Sequence, residues 1–150
     1  MITEEQIQQI EESSLKGAIQ LVADLFPDKV VFSSSLGQED QVITDAICEN
    51  KIAVEIFTLD TGRLFYETYE LIEKTNARYK INLKMYFPDA TDVETFVRAK
   101  GINSFYESVE NRKECCHIRK VKPLNRALQG AKVWITGLRA EQSDNRKDMP

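Results

Sequence analysis

The chain has 150 residues, of which 42% are hydrophobic and 29% charged, and its formal net charge is −4. This length suits one domain with a core of its own, and an acidic chain disfavours bulk nucleic-acid binding, which depends on excess Lys and Arg. No run approaches the roughly 18 apolar residues of a membrane span. The N-terminal residues, Met-Ile-Thr-Glu-Glu, are acidic and do not lead into the apolar core of a signal peptide. We therefore expect one cytoplasmic domain that binds neither nucleic acid nor membrane.

Apolar, β-branched runs alternate with helical patterns along the chain. Residues 4–26 predict one or two helices, and later runs predict four strands at 29–34, 53–59, 82–87 and 132–136. Apolar residues at helical spacing predict helices at 41–48 and 64–76. Strands that alternate with helices predict an α/β fold of three layers, in which helices cover both faces of a mostly parallel sheet.

Three polar loops follow predicted strands, at the edge where open α/β sheets bind ligands. The first loop consists of Ser33, Ser34, Ser35, Leu36, Gly37, Gln38 and Glu39. Its hydroxyls, and the N–H groups of the helix that follows, suit an anion such as a nucleotide phosphate. It is not a Walker A motif, because the Gly-Lys-Ser/Thr ending is absent. At this point an ordinary strand-to-helix turn with a serine cap explains the loop equally well.

The second and third loops add an acid, hydroxyls and guanidinium groups. The second loop consists of Leu59, Asp60, Thr61, Gly62 and Arg63. Asp60 suits a ribose hydroxyl or an adenine amino group, and Arg63 suits a phosphate. In and after the third loop, residues 137–143, Arg139 and Arg146 suit sulfate or phosphate recognition. Solvated, charged turns remain the alternative for both loops.

A basic segment carries two adjacent cysteines, Cys115 and Cys116. Residues 112–126 hold six basic residues and one acidic residue, a formal charge of +5 in an acidic chain. Nearby cations favour the thiolate, which binds metals and attacks electrophiles. Two ligands of an iron–sulfur cluster, a redox nucleophile and a pair of inert, buried residues are the three interpretations. A closed zinc site lacks ligands, because His117 adjoins Cys116 without a spacer and is the single histidine.

The remaining cysteine and the aromatic residues fit structural roles. Cys48 shares a predicted helical face with Val42, Ile43 and Ile47, so we expect it to pack in the core. Packing between helices and sheet suits the aromatic side chains better than stacking on nucleic-acid bases; the set is Phe57, Phe65, Tyr69, Tyr79, Tyr86, Phe87 and Trp134.

Together these segments resemble the phosphoadenylyl-sulfate/adenylyl-sulfate reductase family of assimilatory sulfate reduction. The resemblance rests on four motifs in order, Ser-Ser-Ser-Leu-Gly-Gln-Glu-Asp-Gln at 33–41, Thr-Leu-Asp-Thr-Gly-Arg-Leu-Phe at 58–65, Arg-Lys-Glu-Cys-Cys-His-Ile-Arg-Lys-Val-Lys-Pro-Leu at 112–124 and Trp-Ile-Thr-Gly-Leu-Arg-Ala-Glu-Gln-Ser at 134–143. It implies an adenine-nucleotide α-hydrolase-like, Rossmann-like fold and a single sulfonucleotide-binding domain over residues 1–150. It also implies thiol-dependent reduction of adenylyl sulfate to sulfite and AMP.

The resemblance assigns roles to particular residues. Residues 33–39 would hold the phosphate side of the nucleotide, and residues 60–63 would line the adenosine pocket. The implied substrate-binding residues are Ser33, Ser34, Ser35, Leu36, Gly37, Glu39, Leu59, Asp60, Thr61, Gly62, Arg63, Arg139 and Arg146. Lys120 matches a catalytic lysine between cluster and substrate. Cys115 and Cys116 match two ligands of a [4Fe-4S] cluster, the mark of the branch that prefers adenylyl sulfate.

Two family motifs do not occur in the 150 residues. These are a second cysteine pair, Cys-x-x-Cys, and the nucleophilic cysteine of a terminal Glu-Cys-Gly. We therefore expect the chain to be truncated at its C-terminus and incomplete for catalysis. In the family that cysteine attacks the sulfate sulfur, giving an enzyme thiosulfonate and AMP, and thiols of thioredoxin or glutaredoxin then release sulfite. These proteins and adenylyl sulfate are the expected partners, with a homo-oligomer left open.

Three other functions stay open at the level of sequence. A reductase of 3′-phosphoadenylyl sulfate differs only in its substrate. An adenylating or thiolation enzyme of the ATP-pyrophosphatase type usually carries Ser-Gly-Gly-x-Asp-Ser in its first loop, which residues 33–38 lack. A non-catalytic nucleotide-binding fragment fits the 150 residues literally.

Overall fold

A parallel sheet forms the centre of the computed structural model, which describes residues 2–137. In chain order the strands of the described part are β1 (Val30–Ser33), β2 (Glu55–Leu59), β3 (Lys84–Tyr86) and β4 (Val133–Ile135). They lie side by side in the order β3-β2-β1-β4, and every neighbouring pair is parallel. The chain therefore builds the sheet outward from β1 to β3 and then returns to the other side of β1.

Helices connect and flank these strands. They are α1 (Glu4–Glu12), α2 (Leu15–Leu25), α3 (Gln38–Glu49), α4 (Tyr66–Tyr79), α5 (Ala90–Lys100), α6 (Val109–Cys116) and α7 (Lys122–Leu128). A 3₁₀ turn, Ser104–Tyr106, precedes α6, and a π-helical segment, His117–Val121, joins α6 to α7. No helix within residues 2–137 combines the length and the apolar character that crossing a membrane requires.

Local capping explains where several helices begin. The Thr3 hydroxyl accepts the Gln6 N–H while the Gln6 side chain accepts the Thr3 N–H, which is a complete capping box for α1. Side chains of Ser14, Asp89 and Ser108 cap α2, α5 and α6 in the usual way.

Both faces of the sheet are buried, which confirms the predicted three-layer α/β fold. Phe32 packs on one face with residues of α2 and α3, whereas its neighbour Val31 packs on the other face with Ala127 of α7. Successive side chains of a strand point to opposite faces, so this split requires helices on both sides. A third cluster, Leu36, Ile72 and Leu83, packs α4 beside the first loop.

The strands and the first four helices are confirmed with shifted ends, but α5 to α7 were not predicted. The α6 sequence, Val-Glu-Asn-Arg-Lys-Glu-Cys-Cys, has no buried residue and no apolar stripe, so periodicity gives no helical signal there. The second strand begins at residue 55, two residues later than predicted. Lys51 has φ 51° and the Val54 N–H bonds to the Ile52 carbonyl, so the chain is still in a turn before that point.

Tyr79 gives a test of how α4 is attached to α3. Its hydroxyl donates to Asp45 Oδ1 at 2.8 Å. Burial, followed by this hydrogen bond, raises the pKa of Tyr79 above its ordinary value of 10.0. We expect Tyr79→Phe to lower the free energy of unfolding by about 1 kcal/mol at neutral pH, as measured by urea unfolding.

The same bond has a defined pH dependence. Because the pKa of Tyr79 is higher in the folded state, its contribution is full below about pH 10 and disappears as pH rises through the folded-state pKa. The stability difference between wild type and Tyr79→Phe should therefore shrink at alkaline pH. Tyr66→Phe, at an exposed position of the same helix, is the matched control and should change little; equal losses in both variants would contradict the assignment.

Candidate functional site

A cavity of about 540 Å³ opens at the carboxyl edge of the sheet, between the ends of β1, β2 and β4. We call it the sheet-edge cavity. The strand order reverses beside it, between β1 and β4, and ligands of open α/β sheets bind at such a point. Its walls are formed by Ser33, Ser34, Ser35, Gly37, Glu39, Asp40, Thr58, Leu59, Thr61, Leu64, Thr68, Lys120, Leu124, Trp134, Thr136 and Gly137.

A buried carboxylate shapes the first loop. Asp40 is 6% exposed, and its Oδ2 accepts both the backbone N–H and the hydroxyl of Ser35, each at 2.6 Å. The Leu36 N–H donates to Ser34 Oγ at 3.1 Å. The loop is therefore closed on itself at Ser35 and Leu36. The hydroxyls of Ser33 and Ser34 remain as possible donors to an anion, together with the start of α3, whose N-cap, Gly37, has no side chain to cap it.

The end of β4 fits against the same carboxylate. A Cβ on Gly137 would lie 1.9 Å from Asp40 Oδ1, so only glycine allows this approach. Three residues earlier, in β4, the Trp134 Nε1–H donates to Ser33 Oγ at 2.8 Å. Trp134 is 45% exposed and lines the cavity, so its expected role in core packing is wrong. Phe65 and Phe87 are also exposed and do not belong to the core.

The second loop presents only part of itself to the cavity. Leu59 and Thr61 line the wall. Asp60 is buried, and its Oδ1 accepts the Gly62 N–H at 2.7 Å and the Tyr69 hydroxyl at 2.9 Å. This carboxylate fixes a loop in which Gly62 has φ +83°, a conformation that suits glycine.

Arg63 and Leu36 face away from the cavity wall. The Arg63 guanidinium donates to the Ile102 carbonyl at 3.0 Å and to Asn103 Oδ1 at 2.9 Å, and it lies over the Phe105 ring. Leu36 is buried in the cluster with Ile72 and Leu83. Any contact of Leu36 with a ligand in the cavity would therefore come from its backbone, and Arg63 would have to leave its present partners to reach one.

The basic segment brings one of its predicted residues to the cavity. Lys120 lines the same cavity as the serine loop. Cys115 is half-buried and Cys116 exposed, and both are free thiols at the end of α6, where the π-helical segment begins. Such π turns are rare and are frequent at functional sites. The cysteine pair therefore lies four to five residues before Lys120 in the chain, and Lys120 lines the cavity.

The described part does not contain a full donor set for a [4Fe-4S] cluster. A [4Fe-4S] cluster normally takes four thiolates, and residues 2–137 bring no three potential ligands together. Cys48, the third cysteine of the chain, lies half-buried on α3, where burial and then Asp45 and Glu49 raise its pKa. Cys115 and Cys116 are thus the two adjacent free thiols of the described part that such a cluster could take. Arg139 and Arg146, predicted for the sulfate side, lie outside the described residues.

The fold and the cavity define an adenine-nucleotide α-hydrolase-like domain, with a parallel sheet and a hydroxyl-rich loop at its carboxyl edge. The chain belongs to the phosphoadenosine phosphosulfate reductase domain family, whose model matches residues 29–150. A crystal structure of a phosphoadenylyl-sulfate reductase from Candida auris, in complex with phosphate, has a TM-score of 0.75 at 26% identity. That alignment covers 92% of this chain and 69% of the other.

Curated relatives carry the name adenosine 5′-phosphosulfate reductase. A protein of Sinorhizobium fredii (strain USDA 257) is 52% identical over 141 residues, which cover 94% of this chain and 56% of the relative. A Rhizobium meliloti protein is 51% identical, over 94% of this chain and 53% of its own length. A protein of Allochromatium vinosum is 46% identical over 82% of this chain and 48% of its own length. The chain spans about half the length of these relatives.

Several residues of this region were not predicted as site residues, among them Asp40, Trp134 and Gly137 of the cavity wall and Arg119, which donates to the Thr61 carbonyl. A signal existed for Asp40, because an acidic residue at the third helical position commonly reaches back to N–H groups before the helix. Gly137 ends a strand at the ligand-binding edge, which is a usual place for a glycine with a close neighbour. Arg119 and Trp134 gave no such signal, because their contacts join segments distant in sequence.

The approach of Gly137 to Asp40 predicts a large effect for one methyl group. Gly137→Ala should displace the Asp40 carboxylate and lower the free energy of unfolding by about 2 kcal/mol, as measured by chemical denaturation. Gly37→Ala is the matched control, because a Cβ there meets no atom closer than 3.8 Å. Equal effects of the two substitutions would show that the Asp40 contact does not order this edge.

Proposed function

We propose that the chain is the sulfonucleotide-binding domain of an enzyme that reduces adenylyl sulfate to sulfite and AMP in assimilatory sulfate reduction. The observation that carries the proposal is the shared cavity, which the serine loop after β1 and Lys120 both line. Residues that suit a phosphate and a cation that suits a second anion thus face one space. The names of the curated relatives support the same substrate.

Two hydroxyls at the cavity, those of Ser33 and Thr61, accept one hydrogen bond each and keep a proton to donate. Ser33 Oγ accepts the Trp134 indole N–H, and Thr61 Oγ1 accepts the Arg63 N–H at 3.2 Å. A hydroxyl whose oxygen already accepts one bond still has its own proton to donate. Both side chains line the cavity, so both protons are available to oxygen atoms of a bound nucleotide. Ser34, Ser35, Gly37 and Glu39 complete the phosphate side.

Lys120 supplies the positive charge for the sulfate side. Its side chain is exposed at the wall and offers three donors on a flexible stem. Adenylyl sulfate carries two adjacent anionic groups, whereas AMP carries one site of charge. A cation between them lowers their mutual repulsion when substrate binds. Arg139 and Arg146 are proposed to add to the same charge.

The proposed reaction breaks the bond between the sulfate sulfur and the bridging phosphate oxygen. An enzyme thiolate attacks the sulfur, and the electron pair of the broken bond leaves with AMP. A second thiol then attacks the resulting thiosulfonate, which releases sulfite and forms a disulfide. Thioredoxin or glutaredoxin is the proposed source of these reducing thiols, in the cytoplasm. The attacking cysteine of the family's Glu-Cys-Gly motif does not occur in this sequence.

Cys115 and Cys116 are proposed to hold one side of a [4Fe-4S] cluster. They lie in residues 112–126, a segment with a formal charge of +5, and such a cluster takes cysteine thiolates as its ligands. When bound, such a cluster supplies a fixed, charged anchor between this helix and the segment that provides the other two thiolates. The two cysteines are therefore assigned to cluster binding and not to attack on sulfur.

The second loop is proposed to serve the adenosine side. Thr61 and Leu59 contribute the wall itself, while Asp60 holds the turn through Gly62 and Tyr69. Arg63 is proposed to close over the nucleotide edge only after exchange of its partners at residues 102 and 103.

Calorimetry with four nucleotides tests the substrate. Adenylyl sulfate should bind this chain more tightly than AMP, and more tightly than ATP, because Lys120 meets the sulfate. Comparison with 3′-phosphoadenylyl sulfate decides the second candidate substrate, which the Candida auris structure keeps open because that protein is a reductase of this compound. Tight binding of ATP without binding of adenylyl sulfate would overturn the proposal and favour an adenylating enzyme.

Lys120→Ala separates the sulfate side from the adenosine side. Loss of one charge-assisted contact should weaken adenylyl sulfate binding about tenfold and AMP binding by less than about twofold. Lys113→Ala, an exposed change on α6 outside the cavity, is the matched control and should leave both affinities unchanged. Equal losses for both nucleotides in Lys120→Ala would contradict a role at the sulfate.

A further inference from the structure

Arg119 is a buried cation for which the proposed function gives no role. Its side chain is 8% exposed, and Nη1 donates to the backbone carbonyl of Thr61 at 2.6 Å. The residue lies inside the π-helical segment, between the cysteine pair and Lys120. It therefore reaches from the basic segment to the second loop, across 58 positions of sequence.

The guanidinium also abuts the next residue of that loop. A Cβ on Gly62 would lie 2.9 Å from Arg119 Nη1, which is closer than real Cβ atoms approach. The Gly62 N–H is held from the other side by Asp60. The loop is thus fixed between a carboxylate and a guanidinium, and the absence of a side chain at Gly62 permits the approach.

The charge of Arg119 has no acidic partner in the described part of the chain. The ion pairs found within residues 2–137 join other residues, at separations of 4.0 Å or less. Burying a guanidinium against a carbonyl is unfavourable unless the bond is well formed. A general packing role would be served as well by an apolar side chain, so the position of the donor is the informative feature.

We infer that Arg119 is a positioning residue that locks the second loop to the segment carrying Cys115, Cys116 and Lys120. Thr61 and Lys120 both line the sheet-edge cavity, and the Arg119–Thr61 bond joins the backbone of one to the immediate neighbour of the other. The adenosine wall and the sulfate wall consequently move as one unit. The ligand part of this inference rests on the proposed function, whereas the lock itself does not.

A double-mutant cycle in thermal unfolding tests the lock without any ligand. The Gly62 Cβ would meet the far end of a flexible side chain, so this contact adds to the cost of the substitution only if that side chain is held. Gly62→Ala should lower Tm by about 6 °C in the wild-type chain and by about half of that in the Arg119→Met background. The backbone strain of alanine at φ +83° is the same in both backgrounds and cancels. Equal shifts overturn the lock.

A second cycle tests the effect on the cavity. Arg119→Met should weaken adenylyl sulfate binding about tenfold, and Lys120→Ala should then cause less than about a twofold further loss, because Lys120 has already lost its place. Arg119→Lys, which keeps the charge and one donor, should recover part of the affinity. Arg112→Met, an exposed change on α6, is the matched control and should leave binding unchanged.

The outcomes of the two cycles are distinguishable. A full tenfold effect of Lys120→Ala in the Arg119→Met background overturns the positioning role. Failure of the wild-type chain to bind adenylyl sulfate overturns the proposed function instead, and the unfolding cycle then still decides whether Arg119 locks the loop. Circular dichroism of Arg119→Met confirms that the variant is folded when its affinity is measured.

Discussion

The buried carboxylate of Asp40 is the contact on which the carboxyl edge of the sheet depends. Three segments meet at its two oxygens: the first loop through Ser35, the first turn of α3, and the end of β4 through Gly137. β1 and β4 are neighbours at the change in strand order, and the bond from the Trp134 indole to Ser33 also joins the ends of these two strands. The cavity opens between the segments that meet at the Asp40 carboxylate.

Buried charged side chains also hold the second loop, as Asp40 holds the first. Asp60 and Arg119 hold the second loop from two directions, and Arg119 belongs to the helix–π–helix segment that carries the cysteines. The chain thus uses side chain–backbone hydrogen bonds to buried charges at both loops. The hydroxyls of Ser33 and Thr61 accept hydrogen bonds but keep their own protons to donate. Such donors suit a site for a nucleotide with several negative charges.

Much of this could be predicted from sequence, and the part that could not has a common cause. The β-branched runs predict the strands, and the order of motifs predicts the family, because both are written in consecutive residues. The α6 helix gave no signal because its charged sequence has no apolar face. The contacts of Arg119, Trp134 and Gly137 join segments 58 to about 100 residues apart, and no local pattern encodes such pairs. Asp60 and Arg63, which we expected at the ligand, also bind partners within the protein that the sequence did not indicate.

The position of Trp134 has a practical consequence. It is the single tryptophan of the sequence, and its indole stands in the wall of the cavity with its N–H on Ser33. The tryptophan fluorescence of the chain therefore originates at one position, in the wall of the candidate site. Entry of a nucleotide changes the polarity and the water content around that ring, so occupancy is visible as a shift in emission without any label. Trp134 thus both lines the cavity and reports, through its fluorescence, whether a ligand occupies it.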